Sequence, residues 1–404
     1  MYIVNEGDNI QTYIQRNLEA GLRDSLAHNP VTALVGPRQC GKSTLARHVL
    51  ATHRTALMLD LELPSDHRKL EDPELFLRER ANALICMDEV QRKPEIFALL
   101  RALVDMDRRP GRFLLLGSAS RDLIRHGSET LAGRIHYLEL TPIHWREIEP
   151  LRERHGLDIP RLWCRGGFPP ALLASTDSHS AAWRRDLIQD YLTRDIPQFG
   201  YRIPAPTLLR FWRMLAHYHG QVLNASKLGQ ALDISHNTVR SYLDILEHTF
   251  MVRLLPPLEA NLKKRLVKSP KVYIRDSGLL HALLDLDTPD ALYGHPVFGA
   301  SWEGWCIEQI VAAMPLWTPC FYRTSSGEEL DLVLTRGRRR LAFEIKASLA
   351  PHLSRGFPGS LAALKPERTW VLCPTTDPGY PLRDTVRVVG LSECLRHLAE
   401  FSGT

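Results

Sequence analysis

Residues 36–43, with the sequence GPRQCGKS, match the phosphate-loop pattern GxxxxGK[ST] and constrain the fold of this chain more than any other feature. An apolar run at residues 32–35 precedes the loop, and an amphipathic helix pattern follows it. In that context backbone N–H groups at a helix N-terminus can surround a phosphate. The pattern therefore predicts a parallel α/β sheet with a nucleotide site at the start of the helix.

Each part of this loop has an expected role in holding ATP or ADP. Lys42 is expected to contact the β- and γ-phosphates, and the Ser43 hydroxyl is expected to ligate Mg²⁺. The glycines let the backbone approach the phosphates closely. Cys40 is interpreted as a small residue that the loop tolerates. The predicted nucleotide-binding residues are those of the loop and the position after it: Gly36, Pro37, Arg38, Gln39, Cys40, Gly41, Lys42, Ser43 and Thr44.

A second apolar run, at residues 83–87, ends in two acidic residues. A continuous apolar run of this length is typical of a buried parallel strand. Asp88 and Glu89 would then lie at the carboxyl end of the sheet, beside the phosphate loop. Asp88 is expected to complete the Mg²⁺ site, and Glu89 is expected to polarise the attacking water. The pair predicts an ATP hydrolase; the alternative is a solvated strand end.

Three more strands are predicted, in the segments TALMLDLE and RFLLLGSAS and at residues 136–140. Ser118 follows the second of these strands, where its hydroxyl could sense the γ-phosphate. Arg134 ends a predicted short helix before the last strand. A set of about five strands that alternate with helices predicts a parallel sheet covered by helices on both faces.

This succession of motifs resembles the AAA+ ATPase superfamily over residues 10–150. The resemblance implies that Ser118 is the sensor-1 residue. It also implies that Arg134 is an arginine finger, which would reach the γ-phosphate of a neighbouring subunit in a homo-oligomer. The alternative for Arg134 is an in-chain salt bridge, and the sequence leaves both open.

The middle of the chain combines a helical segment with a helix-turn-helix pattern. Residues 142–200 are mostly helical in pattern, which predicts a small lid over the nucleotide. Residues 226–248 have the apolar spacing of two helices joined by a short turn. DNA contact is predicted at the start of the second helix and in the basic segment that follows: His236, Asn237, Thr238, Arg240, Lys263, Lys264, Arg265, Lys268 and Lys271. The alternative is a winged helix that connects protein domains rigidly.

The C-terminal third places acidic residues and a lysine on neighbouring predicted elements. Asp331 lies on one strand, Glu344 and Lys346 lie on the next, and Glu303 lies on a preceding helix. Residues i and i+2 of a strand share a face, so these side chains can converge. Carboxylates beside a lysine are typical of a divalent-metal site that activates water.

This ordered set resembles the restriction-endonuclease-like PD-(D/E)xK superfamily. Glu303, Asp331 and Glu344 would be the metal ligands, and Lys346 would orient the water or stabilise the transition state of phosphodiester cleavage. The alternative is a relic of that fold, in which the acids pair with Lys346 or with nearby arginines.

The order of the segments resembles a prokaryotic group of AAA+ ATP-binding proteins with a C-terminal domain of uncharacterised function. The phrases LAGRI, GGFPP, YLTRDI, FGASWEGW and FEIKAS carry this resemblance. The predicted fold class is α/β. Its four predicted parts are a parallel-sheet ATPase core, a helical lid, a winged helix and an α/β restriction-endonuclease-like domain, at residues 1–145, 146–205, 206–285 and 286–404.

Composition adds limits to these predictions. A net charge of +5 does not by itself imply nucleic acid, and the seven cysteines form no CxxC pair that would indicate zinc. No apolar run approaches the roughly 20 residues of a membrane helix, so we expect a cytoplasmic protein without membrane contact. Two functions stay open: an ATP-driven enzyme that acts on DNA, or a nucleotide-dependent switch or scaffold whose C-terminal domain binds DNA or a protein without cleaving.

Overall fold

The computed structural model of the protein describes residues 3–6, 10–117, 130–258 and 266–402. Ser118 lies outside these residues, and so do Lys263, Lys264 and Arg265. Their expected contacts with the γ-phosphate and with DNA remain predictions.

The chain divides into two compact units. The first unit is Met1–Ile143 together with the short segments Phe168–Leu173 and His248–Phe250. All other residues form the second unit, so the predicted lid, winged helix and C-terminal domain largely pack together.

The first unit contains a parallel sheet interleaved with helices. Its strands are β3 (Val31–Val35), β4 (Ala56–Asp60), β5 (Leu84–Asp88), β6 (Phe113–Gly117) and β7 (Ile135–Glu139), after an antiparallel hairpin of β1 (Ile3–Glu6) and β2 (Ile10–Tyr13). Its helices include α1 (Leu18–His28), α2 (Lys42–Leu50), α3 (Pro64–Lys69), α4 (Pro73–Glu79) and α5 (Ile96–Met106). Among the described residues the strand order is β4-β5-β6-β3-β7, all parallel. The predicted α/β class and parallel sheet are confirmed.

The side chains along each strand of this sheet point alternately to its two faces, and each face carries a buried core. Along β3, Ala33 packs into one buried cluster with Met87 of β5, whereas Leu34 packs into another with Cys86. Successive side chains of a strand point to opposite faces, so both faces are covered. This explains why β3, β5 and β6 are buried throughout and read as unbroken apolar runs.

The segment after the sheet is helical, as the sequence predicts. It contains α6 (Trp145–Ile148), α7 (Arg152–His155), α8 (Ile159–Arg165), α9 (Pro169–Leu172), α10 (Asp177–Asp190) and α11 (Ile196–Gln198), with a π-helical turn at Tyr191–Asp195. Asp276 fixes the glycine turn after α8 from within the second unit, because its carboxylate accepts the Gly167 N–H at 2.8 Å. A Cβ at Gly166 would lie 2.2 Å from that carboxylate, so the position requires glycine.

The helix-turn-helix lies in the second unit. Helix α12 (Ala205–His217) precedes α13 (Ala225–Leu232) and α14 (His236–His248). Asp233 adopts a left-handed conformation at the turn, with φ of 54°. The Ser235 hydroxyl accepts the Thr238 N–H at 3.1 Å, which caps α14 as its residue type predicts. An antiparallel ribbon of β8 (Val252–Leu255) and β9 (Lys271–Ile274) follows.

The C-terminal part contains a mixed sheet with helices. Its strands are β10 (Thr318–Arg323), β11 (Glu329–Arg336), β12 (Arg339–Ile345), β13 (Arg368–Leu372), β14 (Tyr380–Arg383) and β15 (Val386–Val389). Its helices are α15 (Ser277–Leu283), α16 (Pro289–Tyr293), α17 (Phe298–Ala313), α18 (Phe357–Leu364) and α19 (Leu391–Ser402). In the described segments the strand order is β10-β11-β12-β13-β15-β14. The pairs β12–β13 and β13–β15 are parallel, and the others are antiparallel. No helix in the described ranges combines the length and apolar character needed to cross a bilayer.

Candidate functional site

The phosphate loop joins β3 to α2 in a conformation that depends on glycine. Gly36 has φ of 153°, and a Cβ there would lie 2.1 Å from the Leu140 carbonyl oxygen. Gly41 has φ of 105° directly before the first turn of α2. Only glycine adopts such conformations without strain, so the backbone itself selects both residues of the motif.

The Lys42 side chain is folded onto the loop. Its ammonium donates hydrogen bonds to the carbonyl oxygens of Gly36 and Pro37, each at 2.9 Å. The loop is held from outside by Arg16, which donates to the carbonyls of Cys40 at 2.9 Å and Thr141 at 2.7 Å. Arg16 is a positioning residue that sequence reasoning missed, because no local motif links it to a loop 24 residues away.

The two predicted Mg²⁺ ligands of the first unit are in direct contact. The Ser43 hydroxyl donates to Oδ2 of Asp88 at 2.5 Å, and Oδ1 of Asp88 accepts the Glu89 N–H at 3.0 Å. Burial raises the pKa of the Asp88 carboxyl, and the nearby Glu89 raises it further, while the Ser43 hydrogen bond lowers it. A cation bound at this position would offset the cost of burying the charged Asp88 carboxylate. The Ser43 hydroxyl and the Asp88 carboxylate are oxygen ligands, which suit Mg²⁺.

The surrounding cleft has a volume of about 330 Å³ and is strongly polar. Its lining joins the loop, the start of α2 and the ends of β4 and β5: Arg38, Gln39, Gly41, Lys42, Ser43, Thr44, Arg47, Asp60, Glu62, Asp88 and Glu89. Glu89 has a left-handed backbone with φ of 55°, and its carboxylate accepts a hydrogen bond from the Gln91 side chain. The predicted loop residues and both predicted acids thus share one cleft.

Arg134 forms an in-chain ion pair. Its guanidinium contacts Asp105 through two hydrogen bonds, Nε to Oδ1 at 2.7 Å and Nη2 to Oδ2 at 3.1 Å. The Arg134 hydrogen bond lowers the pKa of the Asp105 carboxyl. This is the salt-bridge alternative that the sequence left open, and a role as an arginine finger would require breaking the pair.

In the second unit, the structure gathers the predicted nuclease-like residues. Leu332 pairs with Phe343 across β11 and β12, which brings Asp331 and Glu344 to the same end of the hairpin. The Asp331 carboxylate accepts the Ile345 N–H at 2.8 Å. Lys346 Nζ lies 2.7 Å from Glu344 and 3.8 Å from Asp331. The hairpin geometry of the prediction is therefore present.

A second lysine enters this group, and its predicted location was wrong. The sequence predicts that Lys271 contacts DNA in the basic segment after the helix-turn-helix, but its side chain is only 3% exposed. Its ammonium lies 2.7 Å from Glu329, 3.2 Å from Glu303 and 3.7 Å from Asp331. Sequence reasoning missed Glu329 and misplaced Lys271, because the strand that carries the lysine meets the acids only in the folded chain.

Burial dominates the electrostatics of this carboxylate cluster, which we define as Glu303, Glu329, Asp331 and Glu344. Burial and the charge of Asp331 raise the pKa values of Glu303 and Glu344. Across the described ranges, no three His, Cys, Asp or Glu side chains are placed to hold a metal ion. In this conformation the carboxylates face ammonium groups, so the predicted metal ligation by Glu303, Asp331 and Glu344 stays a prediction.

The parallel sheet, the phosphate loop and the cleft of the first unit have the fold of a P-loop ATPase. Residues 28–149 match the family model described as an AAA domain. Residues 156–290 and 298–394 match two domains of unknown function, DUF8612 and DUF4143.

The uncharacterized protein Rv2008c of Mycobacterium tuberculosis is 42% identical to this chain over 381 residues. That alignment covers 94% of this chain and 84% of the mycobacterial protein, and Mb2031c of Mycobacterium bovis matches equally. The chain belongs to the family of these mycobacterial proteins.

Some solved structures have partial similarity to this chain. The Walker-type ATPase of Pyrococcus abyssi is 17% identical, with a TM-score of 0.49, and the match covers 67% of this chain and 96% of that one. The ADP form of the Aeropyrum pernix ORC2 protein is 15% identical, with a TM-score of 0.32, covering 61% and 89%.

Proposed function

We propose that this chain binds ATP with Mg²⁺ in the phosphate-loop cleft and hydrolyses it. The observation that carries the proposal is the meeting of Lys42, Ser43, Asp88 and Glu89 in one polar cleft at the N-terminus of α2. A cleft with convergent polar groups at a helix N-terminus is suited to a polyphosphate.

Lys42 is the cation that would meet the β- and γ-phosphates. Its present partners are two carbonyl oxygens of its own loop, at 2.9 Å each. Phosphate oxygens are charged acceptors, and they form stronger hydrogen bonds with an ammonium than neutral carbonyls do. We expect the lysine to exchange these carbonyls for phosphate oxygens, while Arg16 keeps the loop in place.

Ser43 and Asp88 would hold Mg²⁺, which neutralises phosphate charge when bound. Glu89, the next residue, would then orient and polarise the water that attacks the γ-phosphate. Its carboxylate accepts a hydrogen bond from the Gln91 side chain, and this contact would have to loosen before the carboxylate could polarise the water.

DNA is the proposed macromolecular partner of the second unit. His236, Asn237 and Arg240 are exposed at the start of α14, the second helix of the helix-turn-helix. Polar and basic side chains at that position can reach bases and phosphates. The buried position of Lys271 removes it from this interface and leaves Lys268 as the exposed lysine among the described members of the basic segment.

Metal-dependent phosphodiester cleavage is a second candidate function, favoured by the approach of Asp331, Glu344 and Lys346. The pairing of these acids with two lysines instead supports the alternative of a nucleotide-dependent switch or scaffold that does not cleave. We propose the non-cleaving alternative for the conformation described here.

Equilibrium binding of a fluorescent ATP analogue with Mg²⁺ tests the nucleotide assignment. We expect Lys42→Ala to lose at least about tenfold in affinity, since a charge-assisted hydrogen bond contributes about 1.5–3 kcal/mol. Lys69→Ala is the matched control, because Lys69 pairs with Asp66 on α3 and does not line the cleft. Equal affinities for wild type and Lys42→Ala would remove the proposed site.

A further inference from the structure

Basic residues collect at one end of the C-terminal mixed sheet, where β12, β13 and β15 begin. Neighbouring strands of these three are parallel, so their first residues lie at the same edge. The β11–β12 turn and the loop before β13 reach this edge too, and β14 ends there because it is antiparallel to β15. We define the basic edge as the following cations at these positions: Arg336, Arg338, Arg340, Lys365, Arg368 and Arg383.

Most of this positive charge is not compensated within the chain. The three segments of the edge, residues 336–340, 365–368 and 383–385, hold seven arginine or lysine residues and two acids. One of the acids, Glu367, is engaged by Arg339, whose Nε and Nη2 contact its two oxygens at 3.0 and 3.1 Å. Four exposed cations have side chains without an ion pair or hydrogen bond among the residues that the structure describes: Arg338, Lys365, Arg368 and Arg383.

The width and the residue types of the basic edge suit a nucleic-acid backbone. Neighbouring strands lie about 4.8 Å apart, so the four intervals from β11 to β14 span about 19 Å. One strand of a DNA duplex carries a phosphate about every 3.4 Å along the helix axis, so about five phosphates would face this width. Five of the six cations are arginines, whose planar guanidinium groups can donate two parallel hydrogen bonds to a phosphate.

The basic edge is separate from the carboxylate cluster. Strand β12 runs from Arg339 at the basic edge to Ile345 at the opposite end, a distance of about 20 Å. At that opposite end, Asp331 and Glu344 already pair with lysines. The uncompensated cations of the hairpin therefore lie at its turn, and a polyanion would be attracted there.

We propose that the basic edge binds the phosphate backbone of duplex DNA without reading its sequence. This inference rests on the proposed DNA partnership of the second unit and adds a surface to it beside α14. Phosphate contacts position a protein on DNA and carry no sequence information directly, whereas side chains of a recognition helix reach base edges. The basic edge would supply affinity, and the helix-turn-helix would supply the base contacts.

The test is fluorescence anisotropy of the full chain with two DNA duplexes of equal length and unrelated sequence, over a salt series. The edge variant combines Arg338→Ala, Arg368→Ala and Arg383→Ala. These side chains are exposed and unpaired, so their removal breaks no ion pair and the variant should fold. The matched control also loses three exposed arginines, outside the basic edge and α14: Arg146→Ala, Arg355→Ala and Arg396→Ala.

We expect the edge variant to lower the salt slope of DNA binding by roughly 3 units, because each lost phosphate contact lowers it by roughly 1 unit. The decrease should be the same for both duplexes, and the control should keep the wild-type slope. Arg240→Ala, added to the edge variant, should lower the slope by roughly 1 unit more, since α14 is a separate surface.

Equal salt slopes for the edge variant and its control overturn the proposal. If Arg240→Ala still lowers the slope in that case, the helix-turn-helix assignment stands without the basic edge. An effect of the edge variant without an effect of Arg240→Ala supports the basic edge and removes α14 from the interface. Poly-L-glutamate is titrated in parallel, and an edge variant that loses affinity for it but not for DNA would assign the surface to an acidic protein and overturn the proposal. Absence of DNA binding by the wild type overturns both DNA assignments.

Discussion

The hydroxyl of Ser43 lies 2.5 Å from Oδ2 of Asp88, which joins the phosphate loop to the end of β5. Ser43 lies in the first turn of α2, which follows β3, and Asp88 ends β5. These two strands are not neighbours, since β6 lies between them in the sheet. Parallel strands end at the same edge, and the switch in strand order there leaves room for a ligand. The contact shows that the fold itself brings the two proposed Mg²⁺ ligands together.

The first prediction concerns this contact. Asp88→Asn should remove most of the dependence of ATP affinity on Mg²⁺, because a neutral amide binds a divalent cation weakly compared with a carboxylate. Titration of the fluorescent ATP analogue with and without Mg²⁺ measures the effect. Asp60→Asn is the control, since Asp60 lines the same cleft and accepts the Glu62 N–H rather than the Ser43 hydroxyl. An unchanged Mg²⁺ dependence in Asp88→Asn would assign the metal to other ligands.

The second prediction concerns DNA. If α14 contacts the phosphate backbone, duplex binding should weaken as salt rises, and Arg240→Ala should lower the salt slope by roughly 1 unit. Reversing the charges of Lys263, Lys264 and Arg265 should weaken binding much further. Fluorescence anisotropy over a salt series makes the comparison, with exposed Arg355→Ala as the control. Wild-type affinity in the charge-reversed protein would identify the winged helix as a connector between protein segments.

The third prediction concerns two buried histidines of the second unit. Burial lowers the pKa of His219 to about 3, and burial likewise lowers the pKa of His281 to about 3, from an ordinary value of 6.5. His281 is held neutral between the Cys164 carbonyl at 3.0 Å and the Ser301 hydroxyl at 2.7 Å.

A depressed folded-state pKa stabilises the protein above the unfolded-state pKa, and this stabilisation is lost as pH falls towards the folded-state pKa. The free energy of unfolding should therefore decline from about pH 6.5 towards pH 3, because the unfolded chain binds protons that the folded chain excludes. Urea denaturation across this range measures the slope. His281→Asn should flatten it, whereas the exposed His352→Asn should not. Parallel slopes for wild type and His281→Asn would show that this histidine does not titrate on unfolding.

The parts of the structure that the sequence predicted well are those with local signals. The loop, its preceding strand and its following helix are adjacent in the chain, and glycine is required at Gly36 and Gly41 by the backbone alone. The apolar runs of β3 and β5 predicted buried strands because both faces of the sheet are covered. The helix-turn-helix followed from the apolar spacing of residues 226–248, and in the structure Ser235 caps its second helix.

The parts that the sequence did not predict depend on contacts between distant segments. Arg16 meets Cys40 and Thr141, and Lys271 meets Glu329, only once the elements pack. Lys271 sits in a chain segment rich in lysine and arginine, so its composition indicated an exposed residue. Nothing in the sequence distinguishes it from Lys268, which is exposed. Lys271 is buried because its side chain lies on the side of the β8–β9 ribbon that faces α17, where it contacts Glu303.

Phosphate release by Glu89→Gln tests whether the cleft hydrolyses ATP. The variant should bind ATP as wild type does but release phosphate about 100-fold more slowly, because it removes the group that polarises the attacking water. Glu62→Gln is the control: Glu62 lines the same cleft but pairs with Arg92 at 2.8 Å. Steady-state phosphate release and equilibrium ATP binding, measured on the same preparations, separate the two effects. A wild-type rate of phosphate release from Glu89→Gln would contradict the proposal that Glu89 polarises the attacking water in this cleft.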